Sequence, residues 1–186
     1  MTQPEAPDDR TLLSAIAQGD RAALVTLYER HSGVVYSHLV LLTDDHGLSE
    51  EILQDTMLAV WRGAGGFRGD SSVRSWIIAI ARRQCRDRLR RRRPTLVPQE
   101  VLANRPAAEP GPEEQVLGRM AAGAVMTAVG ALPRHHREVL DLVFRTGLPL
   151  AEIAKILEIP VGTVKSRLFA ARAALVRSMP EGGYAS

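Results

Sequence analysis

Apolar residues near the start of the chain recur at intervals of three and four, the spacing of amphipathic helices. The first predicted helix is short and can be capped by Asp8 or Asp9, and its inner face consists of Leu12, Leu13 and Ile16. The second is capped by Asp20 and runs to about Leu42. Its apolar positions are Leu24, Leu27, Tyr28, Val35, Leu39 and Leu42.

A third amphipathic segment follows after a short polar stretch. Ser49 is its predicted cap, and Glu50 and Glu51 fall in the first turn, where the helix dipole favours anions. The glycine-rich stretch 63–66 ends it. Its inner stripe consists of Ile52, Leu53, Met57, Val60 and Trp61.

A fourth helix is predicted to begin at Val73, with Ser71 or Ser72 as its cap. Its apolar stripe repeats every four residues and consists of Ile77, Ala81, Cys85 and Leu89. Beyond this helix five prolines lie within residues 94–112 and interrupt any helical period. We interpret this stretch as a flexible linker.

The apolar period resumes after the linker. We predict a helix from about residue 113 to 131, and another that Pro133 opens and Gly147 ends. Two more are expected at about 150–157 and 161–177. The core face of the helix after Pro133 consists of Val139, Leu140, Leu142, Val143 and Phe144.

No segment has the alternation of a β-strand, so the predicted fold class is all-α. The expected organisation is two small helical domains, residues 1–93 and 113–186, joined by the flexible linker 94–112. Nineteen flexible residues span about 24 Å when relaxed and about 63 Å when fully stretched. We therefore expect the two domains to lie close together in the free protein.

The composition excludes several classes of protein. Among 186 residues, 45% are hydrophobic and 24% are charged, as in soluble globular proteins. The single Cys excludes a disulfide framework and a zinc knuckle, and the five His residues show no partner at ligand spacing. No apolar run approaches the roughly 20 residues of a membrane span, and the amino terminus is unlike a signal peptide. We expect a cytoplasmic protein without membrane insertion, metal, cofactor or catalytic residues.

The charge is unevenly distributed. The formal net charge is +3, yet residues 82–93 contain eight Arg and one Asp, a local charge of +7. The remainder therefore sums to −4. Arg82, Arg86, Arg90 and Arg93 repeat beside the apolar stripe of the fourth helix, with Arg83 next to them. Residues four apart are spaced about 6 Å along the helix axis, and such a ladder of guanidinium groups matches a nucleic-acid backbone.

The loop before this helix, Phe67 to Ser72, contains Gly, Asp and two Ser. Short polar side chains and backbone amides of this kind can hold an extruded nucleotide base. Trp76 could stack on such a base, but it shares a face with apolar residues. We interpret it as a core residue.

Residues 150–168 have the pattern of a helix-turn-helix. Ala154 is the small residue where the two helices cross, and Val164 packs back from the second helix. The turn position usually occupied by Gly holds Glu158, a departure from this pattern. The residues expected to project from the second helix toward a DNA groove are Thr163, Lys165, Ser166, Phe169 and Arg172.

Three blocks in this order resemble bacterial sigma factors of the extracytoplasmic-function type: EEILQDTMLAVWRG, FRGDSSVRSWIIAIARRQCRDRLRR and ALPRHHREVLDLVFRTGLPLAEIAKILEIPVGTVKSRLFAARAAL. The resemblance implies a dissociable subunit that binds core RNA polymerase, directs it to promoter DNA and helps to open the minus-ten region. It also implies an anti-sigma factor as a partner.

The resemblance assigns roles to named residues. Those expected to meet the polymerase are Glu51, Gln54, Asp55 and Arg62. Ser71, Ser72, Val73 and Arg83 are expected to surround the flipped minus-ten base, with Arg82, Arg86 and Arg90 on the same DNA. The minus-thirty-five element is expected to be read by Thr163, Lys165, Ser166, Phe169 and Arg172.

Two other functions fit part of the pattern. A self-sufficient helix-turn-helix regulator would bind operators alone and use the first domain as a sensor. An adaptor would use the basic helix to dock on an acidic protein. The FRGDSS loop next to the Arg helix favours the sigma factor over the regulator, because a sensor domain does not need that combination. An adaptor would not support promoter-dependent transcription.

Overall fold

The computed structural model describes residues 7–92 and 127–178, and every regular element in these ranges is helical. The first module, residues 7–92, contains α1 (Asp9–Ala17), α2 (Arg21–Thr43), α3 (His46–Gly63), a 3-10 turn (Ala64–Gly66) and α4 (Val73–Arg92). The second module, residues 127–178, begins with helical residues 127–130 and continues with α5 (Arg134–Phe144), α6 (Leu150–Leu157) and α7 (Val161–Ser178). The predicted all-α class is confirmed. The predicted linker 94–112 and most of the predicted helix 113–131 lie outside the described residues.

Most of the predicted helix starts are confirmed by their capping hydrogen bonds. The Asp8 carboxylate accepts from the Thr11 amide at 2.7 Å, and the Asp20 carboxylate accepts from the Ala22 amide at 2.8 Å. At α4, the Ser72 hydroxyl accepts from the Ser75 amide at 3.2 Å. Each cap satisfies an amide that has no partner within its own helix.

The predicted cap of α3 is wrong. Asp45 caps this helix by accepting from the Leu48 amide at 2.9 Å, so α3 begins three residues before Ser49. Ser49 is buried inside the helix, where its hydroxyl donates to the Asp45 carbonyl at 2.7 Å. The cause is Asp44, which ends α2 in the left-handed conformation (φ 55°) and turns the chain directly into α3. Glu50 and Glu51 consequently lie beyond the first turn.

The predicted inner faces are largely buried. Exceptions are Tyr28 and Phe144, whose relative exposures are 43% and 63%. Both occupy apolar positions in the sequence period but lie on the solvent side of their helices. Pro133 is the residue before α5 rather than its first residue, a difference of one position.

The two modules lie in contact, as the relaxed length of the linker predicts. Helix α2 packs against α5, and α4 packs against α6. Buried residues of both modules, including Leu39, Ile78, Val139 and Ile153, belong to one continuous hydrophobic cluster. None of the described helices combines the length and hydrophobicity needed to cross a membrane.

Candidate nucleic-acid and polymerase interfaces

The loop before α4 forms one wall of an open cleft between α1 and the second module. Gly69 adopts a positive φ of 78° there, which a residue with a side chain rarely adopts. Arg10 of α1 donates to the Gly69 carbonyl at 3.3 Å and ties the loop to the first helix. Ser71 and Ser72 are half-buried at this wall, and Val73 is buried at the start of α4. The cleft is lined by Asp8, Asp9, Arg10, Arg30, Gly69, Asp70, Ser71, Ser72, Val73 and Glu152.

Ser72 carries more hydrogen bonds than its cap requires. Its backbone amide donates to one carboxylate oxygen of Glu152 at 3.1 Å. Its hydroxyl donates to the other oxygen at 2.6 Å. Glu152 belongs to α6, so the predicted base-binding loop is already in contact with the second module.

The Arg residues of α4 have three different environments. Arg82 donates to Glu138 at 2.7 Å and to the Ile156 carbonyl at 3.2 Å, and Arg86 donates to Glu158 at 2.9 Å. All three acceptors belong to the second module. The Arg86 guanidinium holds the pKa of the Glu158 carboxyl below its usual value. The predicted ladder is therefore partly occupied by intramolecular ion pairs.

The second environment is solvent. Arg83 and Arg90 are exposed, and Arg90 lies 4.0 Å from Asp87 of the same helix. Arg83 makes no hydrogen bond or ion pair with the residues that the structure describes. Arg93 lies outside the described residues.

The third environment is the surface of α3. Arg88 of α4 donates to Glu51 at 3.0 Å and to Asp55 at 2.5 Å. Glu51, Gln54 and Arg62 are exposed, and Asp55 is half-buried. A shallow depression here includes Asp55, Arg62 and the exposed Leu58. Two of the four predicted polymerase-binding residues are thus paired with a cation of the same module, a pairing that the sequence pattern does not indicate.

Trp76 and Cys85 have the structural roles that the sequence predicted. The Trp76 ring is half-buried and lies 5.3 Å from the Phe67 ring, centroid to centroid, at the edge of the core. Cys85 is 1% exposed, and burial raises the pKa of its thiol. Neither side chain is presented to a ligand in this arrangement.

The helix-turn-helix forms as predicted from α6 and α7. Ile153, Ala154, Leu157 and Val164 are buried between the two helices. Glu158 follows α6 in the left-handed conformation (φ 57°), which is why Gly is the usual residue at this position.

The solvent-facing side of α7 is uncovered. Lys165, Ser166, Phe169 and Arg172 are exposed, and Thr163 is half-buried. Phe169 has a relative exposure of 77%. The Arg172 guanidinium lies 5.4 Å from the centre of the Phe144 ring. All five predicted minus-thirty-five residues are therefore on one helix, next to solvent.

Two His–Asp pairs, each with a buried His, are not apparent from the sequence. His38 Nδ1 lies 2.8 Å from Asp141 Oδ2, and both side chains are almost fully buried between the modules. His31 Nε2 lies 2.7 Å from Asp9 Oδ2 within the first module. Burial lowers the pKa of His31, although Asp9 opposes this effect. The paired residues are 103 and 22 positions apart, so no local motif connects them.

Further contacts join the modules at backbone carbonyls. Arg74 donates to the Thr146 carbonyl at 2.9 Å, Lys155 donates to the Asp70 carbonyl at 3.1 Å, and Arg134 donates to the Leu42 carbonyl. Within residues 7–92 and 127–178, no group of three His, Cys, Asp or Glu side chains could hold a metal ion.

Comparisons with known proteins match both halves of the chain. Residues 27–95 match the family Sigma-70 region 2, and residues 122–175 match Sigma-70, region 4. The ECF RNA polymerase sigma factor SigM of Mycobacterium tuberculosis is 36% identical over 171 residues, 91% of this chain and 83% of that protein.

Solved structures with this fold include two sigma factors in complexes. The structure of CnrH with the cytosolic domain of CnrY superposes with a TM-score of 0.63 at 25% identity, covering 91% of this chain and 95% of CnrH. The sigma factor RpoE of Bartonella quintana, in complex with the anti-sigma factor NepR, has a TM-score of 0.58 at 24% identity. That match covers 77% of this chain and 88% of RpoE.

Proposed function

The chain belongs to the extracytoplasmic-function RNA polymerase sigma factors, and from this membership we propose which of its surfaces carry each step of initiation. As a member of this family it is an alternative sigma factor that directs RNA polymerase to promoters, and not an enzyme. Its partners are core RNA polymerase and promoter DNA, with an anti-sigma factor as regulator. We place it in the cytoplasm, where the polymerase is.

The proposed division of labour follows the two modules. Residues 1–93 form the domain that binds the polymerase and the minus-ten DNA, residues 94–112 form the linker, and residues 113–186 form the minus-thirty-five domain. The observation that carries this proposal is the exposed face of α7, where five side chains suited to DNA project from the second helix of a helix-turn-helix.

Core polymerase is proposed to bind the surface of α3. The exposed residues Glu51, Gln54 and Arg62 flank Asp55 there, beside the exposed apolar side chain of Leu58. A polar rim around an apolar residue is suited to a protein partner. Since Arg88 already pairs with Glu51 and Asp55, the polymerase would have to replace those ion pairs.

Minus-ten DNA is proposed to bind the loop and the neighbouring Arg residues of α4. Ser71 and Ser72 would hold the extruded base beside Val73 and Arg83. Arg82, Arg86 and Arg90 would follow the phosphates. This surface supplies short hydrogen-bond donors next to guanidinium groups, the chemistry expected for melted DNA.

The test is a set of variants assayed on the reconstituted holoenzyme. Ser71→Leu fills the loop but spares the cap of α4, because the Ser71 hydroxyl donates only to the Ser72 carbonyl. We expect normal binding to core polymerase and fewer permanganate-reactive thymines at the start site. Lys165→Ala should instead weaken binding to a minus-thirty-five duplex, and Ser178→Ala, at the far end of α7, should change neither assay.

The two alternatives predict other outcomes. Loss of polymerase binding in Ser71→Leu would show that the loop is structural. Specific binding to operator DNA without polymerase, together with no promoter-dependent transcription, would favour the self-sufficient regulator.

A further inference from the structure

Acidic side chains of the second module accept hydrogen bonds from side chains of the proposed minus-ten surface. Glu152 binds Ser72, Glu138 binds Arg82, and Glu158 binds Arg86. Each of these donors belongs to the loop or to α4, and each acceptor belongs to the second module.

The Glu152 carboxylate contacts Ser72 in the way that a bound anion would. Both carboxylate oxygens of Glu152 are used, one by the amide and one by the hydroxyl, at 3.1 and 2.6 Å. The site is the amino terminus of a 20-residue helix, where unpaired amides and the helix dipole favour a negative charge. Lys155, one turn along α6, donates to the Asp70 carbonyl and fixes α6 to the same loop.

The contacts at Arg82 and Arg86 extend the same pattern along α4. A carboxylate lies 2.7 Å from Arg82 and another 2.9 Å from Arg86, the positions at which phosphates of a bound strand would be expected. The Arg82 and Glu138 side chains are 21% and 10% exposed, so this ion pair is largely shielded from solvent. Three donors of the proposed minus-ten surface, Ser72, Arg82 and Arg86, are thereby occupied by three carboxylates.

We propose that the second module is an internal competitor of promoter DNA, in which Glu152, Glu138 and Glu158 take the positions of the acceptor atoms of the minus-ten strand. This inference rests on the proposed function, since it requires that Ser72, Arg82 and Arg86 bind DNA. In the free protein Ser72, Arg82 and Arg86 of the minus-ten surface are occupied by carboxylates, while Arg83, Arg90 and the minus-thirty-five face of α7 stay open. Core polymerase removes the competitor by holding the two modules apart.

The thermodynamic consequence is a reduced apparent affinity. If only the separated form binds the strand, the measured dissociation constant equals that of the separated form divided by the fraction of molecules that are open. Weakening any carboxylate contact raises the open fraction and must therefore tighten minus-ten binding by the free protein. The same change has no such effect in the holoenzyme, where the modules are already apart.

The experiment measures binding of the free, full-length protein to a fluorescent single-stranded oligonucleotide. The oligonucleotide carries the minus-ten element of a promoter mapped by sequencing transcripts from the reconstituted holoenzyme. Glu152→Gln removes the charge at constant shape and should tighten binding by about fivefold to tenfold, as expected for the loss of a charge-assisted hydrogen bond. Glu29→Gln makes the same charge change on an exposed part of α2 and should alter binding less than about twofold.

A second variant separates competition from overall charge. Lys155→Met removes a positive charge, which by electrostatics alone should weaken binding to DNA. Because it also releases α6 from the loop, the competitor mechanism predicts tighter binding instead.

Failure of this inference can be distinguished from failure of the proposed function. Equal affinities for Glu152→Gln, Glu29→Gln and the wild type, with Ser71→Leu still defective in promoter opening, would overturn the competitor and leave the minus-ten assignment standing. Normal promoter opening by Ser71→Leu holoenzyme would overturn the minus-ten assignment, and the competitor with it.

Discussion

The two proposed DNA-binding surfaces of this chain differ in what covers them. The face of α7 points to solvent, and its Lys165, Ser166, Phe169 and Arg172 are all exposed. Ser72 of the loop before α4, and Arg82 and Arg86 of α4, are instead hydrogen-bonded to the second module. The surfaces proposed for the double-stranded element and for the melted element thus differ in accessibility in the free protein.

The difference in accessibility is caused by the side chains that surround each basic residue, and not by the basic residues themselves. Arg82 and Arg83 are adjacent in sequence, but Arg82 faces Glu138 across the interface and Arg83 faces solvent. Adjacent residues of a helix point about 100° apart, so one is covered when the second module docks and the other is not. Accessibility of this surface is consequently a property of the pair of modules.

The largest effect is expected from breaking the buried pair between the modules. Asp141→Ala removes the carboxylate that binds His38 Nδ1, and His38 Nε2 has no partner among the described residues. Leaving that ring without any hydrogen bond should weaken docking by about 2 kcal/mol. Hydrogen exchange should accelerate in α5 and in the second half of α2, and the covered surface should become more accessible.

Asp9→Ala is the matched control, because it unpairs His31 within the first module. It should leave exchange in α5 unchanged. Unchanged exchange in Asp141→Ala as well would show that the other contacts between the modules hold them together without the His38–Asp141 pair.

An intermediate effect is expected from comparing the two adjacent Arg residues. In the holoenzyme, Arg82→Ala and Arg83→Ala should each lower the salt dependence of promoter binding by about one unit. In the free protein, Arg83→Ala should weaken binding to the minus-ten oligonucleotide more than Arg82→Ala does. The loss of Arg82 also loosens the covering module, and the two consequences oppose each other. An equal loss of oligonucleotide affinity in the two variants of the free protein would argue against the ion pair between Arg82 and Glu138.

The smallest effect concerns pH and the first module. The pKa of His31 is lowered from 6.5 by burial, so the folded state binds fewer protons than the unfolded state between the lowered pKa and 6.5. Stability is therefore full above pH 6.5 and falls as the pH drops through this window. Urea unfolding followed in α1 and α2 should show this decline. His31→Gln should flatten it, and an unchanged slope would assign the decline to other groups.

The helical period of the sequence was sufficient to predict the fold. Of the seven α-helices α1 to α7, which lie wholly within the described residues, it located six within about a residue at their starts, because each has an apolar stripe and most have a recognisable cap or turn. Ser49 failed as a cap since Asp45 was an equally good candidate and the left-handed residue Asp44 decided between them. Tyr28 and Phe144 were misplaced because aromatic residues on the solvent side also fit a loose period.

The residues of the candidate sites were predictable from the sequence, but the side chains that contact them within the folded chain were not. Serine, arginine and helix-turn-helix positions can be recognised locally. The contacts of Glu152 with Ser72 and of Asp141 with His38 join residues 80 and 103 positions apart. Such pairs arise from the docking of two modules, for which a single sequence carries no periodic signal.

Glu158 has a left-handed backbone conformation that reduces local stability, and its carboxylate binds Arg86. A non-glycine residue costs about 1 kcal/mol there, and Gly at this position would remove that strain. It would also remove the carboxylate that holds Arg86. Directed evolution for heat resistance would therefore favour Glu158→Gly and yield a sturdier protein whose basic helix is less restrained. Higher thermal stability favours Gly at position 158, whereas the ion pair with Arg86 requires the carboxylate of Glu158.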